Sequence, residues 1–209
     1  MTTEEYQEEK RFVLSELADN QFSTNRLSHE YLVELIQPFK DDKEVMTASL
    51  VNNAYIAHEA SGRLKADKEF MVQAVQSCCG IFREASVQLK DDIEVAQHAT
   101  WAQSSSFQYA SDRIKSTPAL IEICCADSSS PLNSINPSVR DNPSQFLELL
   151  KEIEPHHKPS AVIHFASEEI QKLAGDEDPV KSLQAHLLHE KLDMKLAPKV
   201  ESHKPKMKI

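Results

Sequence analysis

The amino-acid sequence predicts an all-α fold: a short solenoid-like stack of helix pairs with repeats of about 25 residues, followed by a C-terminal helical bundle. Two observations carry this prediction. Residues 40–64 and 65–89 share ten identities over 25 aligned positions. Each unit also places apolar residues at helical spacing directly after an aspartate or threonine.

The glycine content supports the same fold class and excludes several kinds of enzyme. The chain has 3 glycines in 209 residues, where average usage supplies about fifteen. Phosphate-binding loops, nucleophile elbows and tight Asn-Gly hairpins all require glycine for positive φ angles or close backbone approach. The sequence therefore lacks the loops on which nucleotide-binding enzymes and α/β-hydrolases depend.

Two helices are predicted ahead of the repeats. Residues 3–19 read as a helix with Val13, Leu14 and Leu17 on one face. Ser28 is placed to cap a second helix that ends before Pro38. We interpret residues 1–39 as a helix pair that caps the stack, because a terminal unit needs a polar outer face.

The repeats occupy residues 40–126, and each unit begins with a capped helix. Asp42, Asp67 and Asp92 are predicted N-caps, whose carboxylates accept hydrogen bonds from the free amides of the first turn. Thr117-Pro118 has the same place in a fourth unit, where threonine is a good cap and proline is favoured at the first helical position.

A second short helix is predicted in each unit. Helices of about ten residues are marginal alone in water, so their stability must come from stacking. We interpret the recurring Ala-Ser pairs as small residues that let neighbouring helices approach closely. The second helix carries Ile56, Ala57, Ala60 and Leu64 in the first unit and Ile81, Phe82, Ala85 and Leu89 in the second; the pairs are Ala60-Ser61, Ala85-Ser86 and Ala110-Ser111.

The motifs "FKDDKEVMTASL", "RLKADKEFMVQAV" and "QLKDDIEVAQHA" give the repeat a family resemblance. Over roughly residues 40–125 the chain resembles a short helical repeat known only as a domain of unknown function. That family is associated with protists, algae and amoeba-associated intracellular bacteria such as Legionella. The resemblance implies a helical scaffold and, for a Legionella-type protein, an effector delivered into a host cell, with the basic tail as its secretion signal. Alternatively, the tail is a disordered arm for an acidic partner or a membrane surface, or an ordinary solvated tail.

Residues 127–143 are rich in turn formers and are predicted to be a linker. Helices are then expected over residues 144–194, opened by Asn142-Pro143 and by Asp178-Pro179. Between these two, Ser160 is placed to cap a helix that Gly175 stops. Residues 195–209 are predicted to be a disordered basic tail.

No group of residues in the sequence selects a catalytic, cofactor or metal site. Adjacent cysteines on a helix point about 100° apart, so we interpret them as small buried residues rather than as zinc ligands. A pair of histidines at i, i+3 lacks a third ligand, and paired aspartates are explained as helix caps. The residues weighed are Cys78-Cys79, Cys124-Cys125, His186, His189, Glu190, Asp41-Asp42 and Asp91-Asp92.

Four lysines recur in step with the repeat and are the candidate partner-binding residues. Along one edge of the array they form a ladder that can bind an acidic partner. Alternatively, each lysine follows a helix C-terminus and stabilises the negative end of its dipole. The four are Lys40, Lys65, Lys90 and Lys115.

The charge balance limits the partners. The net charge is −10, which disfavours nucleic acid and anionic membranes. Residues 195–209 carry a local +4. No stretch approaches the length of a transmembrane helix, and we expect a cytoplasmic protein, or one secreted into a host-cell cytosol without a classical signal peptide.

These observations favour a non-catalytic protein-protein interaction module without cofactors, whose partner is a protein of unknown identity. The resemblance implies that such a module is an effector of an intracellular bacterium. Two alternatives stay open: a structural accessory subunit of a larger assembly, and an enzyme or metal-binding regulator.

Overall fold

A computed structural model describes residues 2–20, 27–125, 134–155, 158–175 and 178–196. Within these ranges all regular structure is helical and no strand is present, which confirms the predicted all-α fold. The chain divides into two compact units, Met1–Asn136 and Pro137–Ile209. None of the described helices combines the length and apolarity needed to cross a bilayer.

The predicted N-terminal helices are both present. The first, α1 (Thr3–Asn20), buries Val13 and Leu17. The second, α2 (His29–Leu35), begins where the side chain of Ser28 accepts a hydrogen bond from the Tyr31 amide. Ser28 has extended backbone angles, so its hydroxyl can satisfy an amide that has no partner inside the helix.

The first helix of each repeat begins where the sequence predicts. Asp42 and Asp92 each accept hydrogen bonds from two first-turn amides, and Asp67 accepts one from Phe70. The fourth helix begins at Pro118. These helices are α3 (Lys43–Asn52), α4 (Lys68–Ser77), α6 (Ile93–Ala102) and α7 (Pro118–Cys125), with the single turn α5 (Val87–Lys90) between α4 and α6.

The second element of each repeat differs from the prediction. It is a short 3₁₀ helix followed by a break and one further turn, rather than a continuous α-helix. The break falls at the Ala-Ser pair, where Ala60 is extended and the Ser61 hydroxyl accepts a hydrogen bond from the Leu64 amide. The serine is thus a cap, which ends one helix and starts the next. The 3₁₀ helices are Ala54–Glu59, Cys79–Glu84 and Ser104–Tyr109.

One backbone hydrogen bond recurs at the repeat period and ties each unit together. The amide of the residue that begins the last turn donates to the carbonyl of the lysine 21 positions earlier. The pairs are Ser61 to Lys40, Ser86 to Lys65, Ser111 to Lys90 and Asn136 to Lys115. The fourth unit, whose sequence departs from the pattern, keeps this bond. The recurring lysines therefore stand at a fixed place in the backbone.

The core of the first compact unit, Met1–Asn136, is formed by helices that contact one another in chain order: α1 with α3, α3 with α4, α4 with α6, and α6 with α7. Apolar side chains from the α-helices and the 3₁₀ helices meet between them. Among the described residues of this compact unit, the fully buried aromatic side chains are Phe39, Phe70, Phe82 and Phe107.

In the second compact unit, the long helix α12 (Pro179–Leu196) contacts α9 (Pro143–Ile153) and α11 (Glu168–Ala174). Asn142 caps α9 as predicted, but the predicted cap Ser160 lies inside a short helix. Ser167 is the cap instead, and Gly175 ends that helix with φ at 63°. Residues 127–133 of the predicted linker and 197–209 of the predicted tail lie outside the described ranges. The helices are α8 (Pro137–Arg140), α9 (Pro143–Ile153), α10 (Pro159–Val162), α11 (Glu168–Ala174) and α12 (Pro179–Leu196).

Candidate functional site

The four candidate lysines divide into two kinds. Nζ of Lys40 lies 2.8 Å from Oε2 of Glu59, and Nζ of Lys65 lies 2.8 Å from Oε2 of Glu84. Lys65 also donates a 2.6 Å hydrogen bond to the carbonyl of His58. The Lys40 ammonium holds the pKa of Glu59 below its usual value. These two lysines are thus neutralised within the protein.

Lys90 and Lys115 lack this carboxylate. The position that is Glu59 in the first unit and Glu84 in the second is Tyr109 in the third and a serine in the fourth. Among the described residues neither lysine has an ion-pair partner, although both are partly exposed. The second half of the lysine ladder therefore carries two charges that the protein's described part does not neutralise.

Lys65→Ala is expected to lower the free energy of unfolding by about 1 kcal/mol, the upper range for partly exposed ion pairs, because it removes the partner of Glu84. Lys115→Ala, the matched control, is expected to change it by less than about 0.3 kcal/mol. Urea unfolding at low salt measures both. Equal losses in the two variants would contradict the division of the ladder into paired and free lysines.

A second ladder of ion pairs joins the N-termini of α3, α4 and α6 to the helices that pack before them, α1, α3 and α4. Nζ of Lys43 lies 2.8 Å from Oδ1 of the cap Asp67 and 2.6 Å from Oε2 of Glu69 on the next helix. Lys10 has the same relation to Asp42 and Glu44, and Lys68 to Asp92 and Glu94. The ladder ends at α6, where Ile93 replaces the lysine and the next unit has Thr117 and Ala119 in place of the acids.

The paired aspartates are structural. Asp42 caps a helix, while its neighbour Asp41 accepts hydrogen bonds from the hydroxyl of Ser61 and from Nε of Arg63, 2.9 Å away. These bonds hold the pKa of Asp41 below its usual value. Asp91 makes the same contacts with Ser111 and Arg113. Each carboxylate thus has a partner that explains it without catalysis.

A cavity of about 270 Å³ opens beside the 3₁₀ helix of the second unit. Its lining combines an aromatic ring, an imidazole, a thiol and a carboxamide. A neighbouring cavity of about 310 Å³ shares Tyr55 and His58 with it. The first cavity is lined by Ala54, Tyr55, His58, Ser77, Cys78, Gly80 and Gln103.

Two chemically active side chains, His58 and Cys78, line this cavity, and a third, Glu84, contacts His58. Nδ1 of His58 lies 2.7 Å from Oε1 of Glu84, and Nε2 of the same ring lies 3.6 Å from Sγ of Cys78. The exposed ring of Tyr55 stacks on His58 with centroids 6.4 Å apart. This cluster was not predicted from the sequence, because Cys78 was considered only together with its neighbouring cysteine. Alignment of the repeats could have indicated the cluster, because the positions of His58 and Cys78 hold different residues in each of the other units.

Among the described side chains, the other candidates from the sequence make no comparable cluster, and the side chain of Cys79 lies outside the described part. Cys124 is buried in the core, and burial raises the pKa of the Cys125 thiol to about 11. His186 and His189 lie 3.8 Å and 3.7 Å from Glu190 and Asp193, one turn further along α12. In the part of the chain that the structure describes, no three side chains of histidine, cysteine, aspartate or glutamate are grouped for metal binding.

Comparison with protein families finds a match over part of the repeats. Residues 42–90 match the model of a family described as Domain of unknown function (DUF4116). The resemblance to a family of unknown function is thereby confirmed for this segment, which contains His58, Cys78 and Glu84. Comparisons with curated proteins and with solved structures found no match.

Proposed function

We propose that this chain is a helical-repeat protein-interaction module, in which the repeats form a short solenoid-like stack and the free end of the lysine ladder binds an acidic segment of a partner protein. The observation that supports this is the change along the ladder. Lys40 and Lys65 have carboxylate partners, whereas Lys90 and Lys115 have none among the described residues. Because the chain is acidic overall, two unneutralised lysines on one edge favour an acidic ligand.

The repeat also suggests the spacing of the ligand's charges. Neighbouring helices pack about 8–10 Å apart, and Lys90 and Lys115 occupy equivalent positions in successive units. A peptide in the polyproline II conformation has three residues per turn and rises about 3.1 Å per residue, so side chains three positions apart lie on one face about 9 Å apart. Two acidic side chains three positions apart therefore match the distance between the lysines. On an effector delivered into a host cell, as the resemblance implies, this edge would meet such a segment on a host protein.

The test is an NMR titration of the full-length, ¹⁵N-labelled protein with a peptide that carries two glutamates three positions apart. We expect shifts of the amides around Lys90 and Lys115, and an apparent Kd that rises at least about tenfold in Lys90→Ala/Lys115→Ala. NMR is suited to this measurement because two partly exposed ion pairs give only weak binding.

Two controls separate this site from general electrostatic attraction. Lys40→Ala/Lys65→Ala removes the same charge from the paired half of the ladder and should leave the Kd within about twofold, if the fold is retained. A peptide of the same composition with adjacent glutamates should bind more weakly. Equal binding by both double variants would contradict the proposal.

A further inference from the structure

We propose that Cys78 is a nucleophile that accepts a small acyl group from an ester or thioester, with His58 as its general base and Glu84 as the residue that positions the imidazole. Sγ of Cys78 faces Nε2 of His58 at 3.6 Å, and Nδ1 of that ring is 2.7 Å from Glu84. This site is separate from Lys90 and Lys115, so the inference does not depend on the interaction function.

The hydrogen bonds of Glu84 determine which nitrogen of His58 can accept a proton. Burial raises the pKa of Glu84, but hydrogen bonds from Lys65 and His58 outweigh it and hold that pKa below its usual value. An ionised carboxylate only accepts hydrogen bonds, so Nδ1 of His58 carries the hydrogen that faces Glu84. In the neutral ring Nε2 is then the acceptor, and it faces the thiol of Cys78.

Gly80 leaves room for a substrate beside the thiol. The equivalent positions in the neighbouring units hold Tyr55 and Ser105. Gly80 has no positive φ angle, and an added Cβ would meet no atom within 4 Å. The backbone therefore does not require glycine here. The main consequence of the missing side chain is open space in the cavity of about 270 Å³. That volume is slightly below the usual range of ligand pockets and suits a short acyl group.

The repeat itself indicates that packing does not require these three residues. Where one unit has His58, the next two have Arg83 and Gln108. The position of Cys78 is held by Asn53 and Gln103, and that of Glu84 by Glu59 and Tyr109. The thiol, imidazole and carboxylate coincide once in the described repeats. Their equivalents also supply substitutions that the fold already accommodates.

The acylation step is an ordinary displacement at a carbonyl carbon. The S–H bond of Cys78 breaks and its proton passes to Nε2 of His58, while Sγ bonds to the carbonyl carbon of the ester. The bond from that carbon to the leaving oxygen then breaks, and His58 returns the proton to the leaving group. A thiol and an ester thus give a thioester and an alcohol, with no change in oxidation state.

The test uses 4-nitrophenyl acetate with the full-length native protein. We expect rapid release of about one equivalent of 4-nitrophenol per chain, and one acetyl group that peptide mass spectrometry places on Cys78. Cys125 is an internal control, because a thiol whose pKa is raised to about 11 stays protonated at neutral pH. Acetylation of Cys125 in preference to Cys78, or no thioester at all, would overturn the proposal.

Variants of the three residues test each role, and those of Cys78 and His58 copy the equivalent residues of other repeat units. Cys78→Asn should abolish the burst, and His58→Gln should slow it at least about tenfold. Glu84→Ala should slow it comparably, whereas Glu84→Gln, which keeps an acceptor for Nδ1, should retain the rate within a few-fold. A merely structural Glu84 would give equal losses in both. Circular dichroism checks folding, and an unchanged burst in folded His58→Gln would overturn the role of His58.

Discussion

Phe82→Ala is expected to lower the free energy of unfolding of the first compact unit by about 3–5 kcal/mol, the usual cost of emptying a buried phenylalanine site. Phe82 is 0 % exposed. Its 3₁₀ helix contacts α4, α6 and the 3₁₀ helices of the units before and after it. The cavity would thus lie where four elements meet, and none of them can collapse into it without losing contacts with another.

The matched control is Phe12→Ala. Phe12 is 59 % exposed on α1, so the same truncation should cost less than about 1 kcal/mol. Urea unfolding followed by the fluorescence of Trp101 measures both variants, because this residue is the chain's one tryptophan and lies in the same unit. Comparable losses in the two variants would contradict the assignment of Phe82 to a shared core.

The helix starts could be predicted from the sequence because capping is a local property. Asp42 and Asn142 each act within three residues of their own position, so their effect is visible in the sequence. The cap Ser167 was missed although it follows the same Ala-Ser pattern as Ser61. Extra residues between α9 and Ser167 place this serine outside the 25-residue period. Ser160 lies closer to the position that the period indicates, so it was predicted as the cap instead.

The 3₁₀ helices could not be predicted from apolar spacing alone. Ile56 and Ala57 are buried as expected, but spacing does not tell an α-helix from a tighter 3₁₀ turn. The deciding groups are the extended Ala60 and the Ser61 amide, which donates to the carbonyl of Lys40. That bond joins residues 21 positions apart, and a pattern of small residues cannot reveal it.

The candidate site likewise has features that the sequence predicts and features that only the fold reveals. The recurrence of Lys40 and Lys65 was visible in the sequence, but their neutralisation by Glu59 and Glu84 needed the fold. Once the pairing is known, the sequence explains it, because lysine and glutamate recur together in the first two units. The cluster of His58 and Cys78 depends on contact between two successive 3₁₀ regions, which local rules do not address.

The two lysine ladders give the charges of the repeat different roles. The ladder of Lys10, Lys43 and Lys68 joins caps to neighbouring helices, and it stops where Ile93 begins α6. The candidate ladder instead loses its acids and keeps its lysine at position 115. In a purely stabilising network of ion pairs, the lysine and its acidic partners are lost at the same point of the repeat. Lys115, by contrast, is retained although it has no ion-pair partner among the described residues. This difference favours a role in binding.

Asp42→Ala is expected to lower the free energy of unfolding by about 1–3 kcal/mol at pH 7, the sum of a lost helix cap and a lost ion pair. The Asp42 carboxylate accepts from the amides of Glu44 and Val45 and from the hydroxyl of Tyr6, 2.9 Å away. It also lies 2.7 Å from Nζ of Lys10. Removing the side chain therefore frees the start of α3 and its link to α1.

Asp42→Asn separates the two contributions, because Asn142 shows that an amide oxygen caps a helix in this chain. It should retain the cap and lose only about 0.5–1 kcal/mol. Burial raises the pKa of Asp42, but its hydrogen bonds and Lys10 together hold that pKa below its usual value. The carboxylate's contribution is therefore full above about pH 4 and is lost as the pH falls through the lowered pKa. Urea midpoints should thus show the gap between native protein and Asp42→Asn narrowing in acid. A gap that stayed constant from pH 7 to strong acid would show that the charge of Asp42 does not stabilise the helix start.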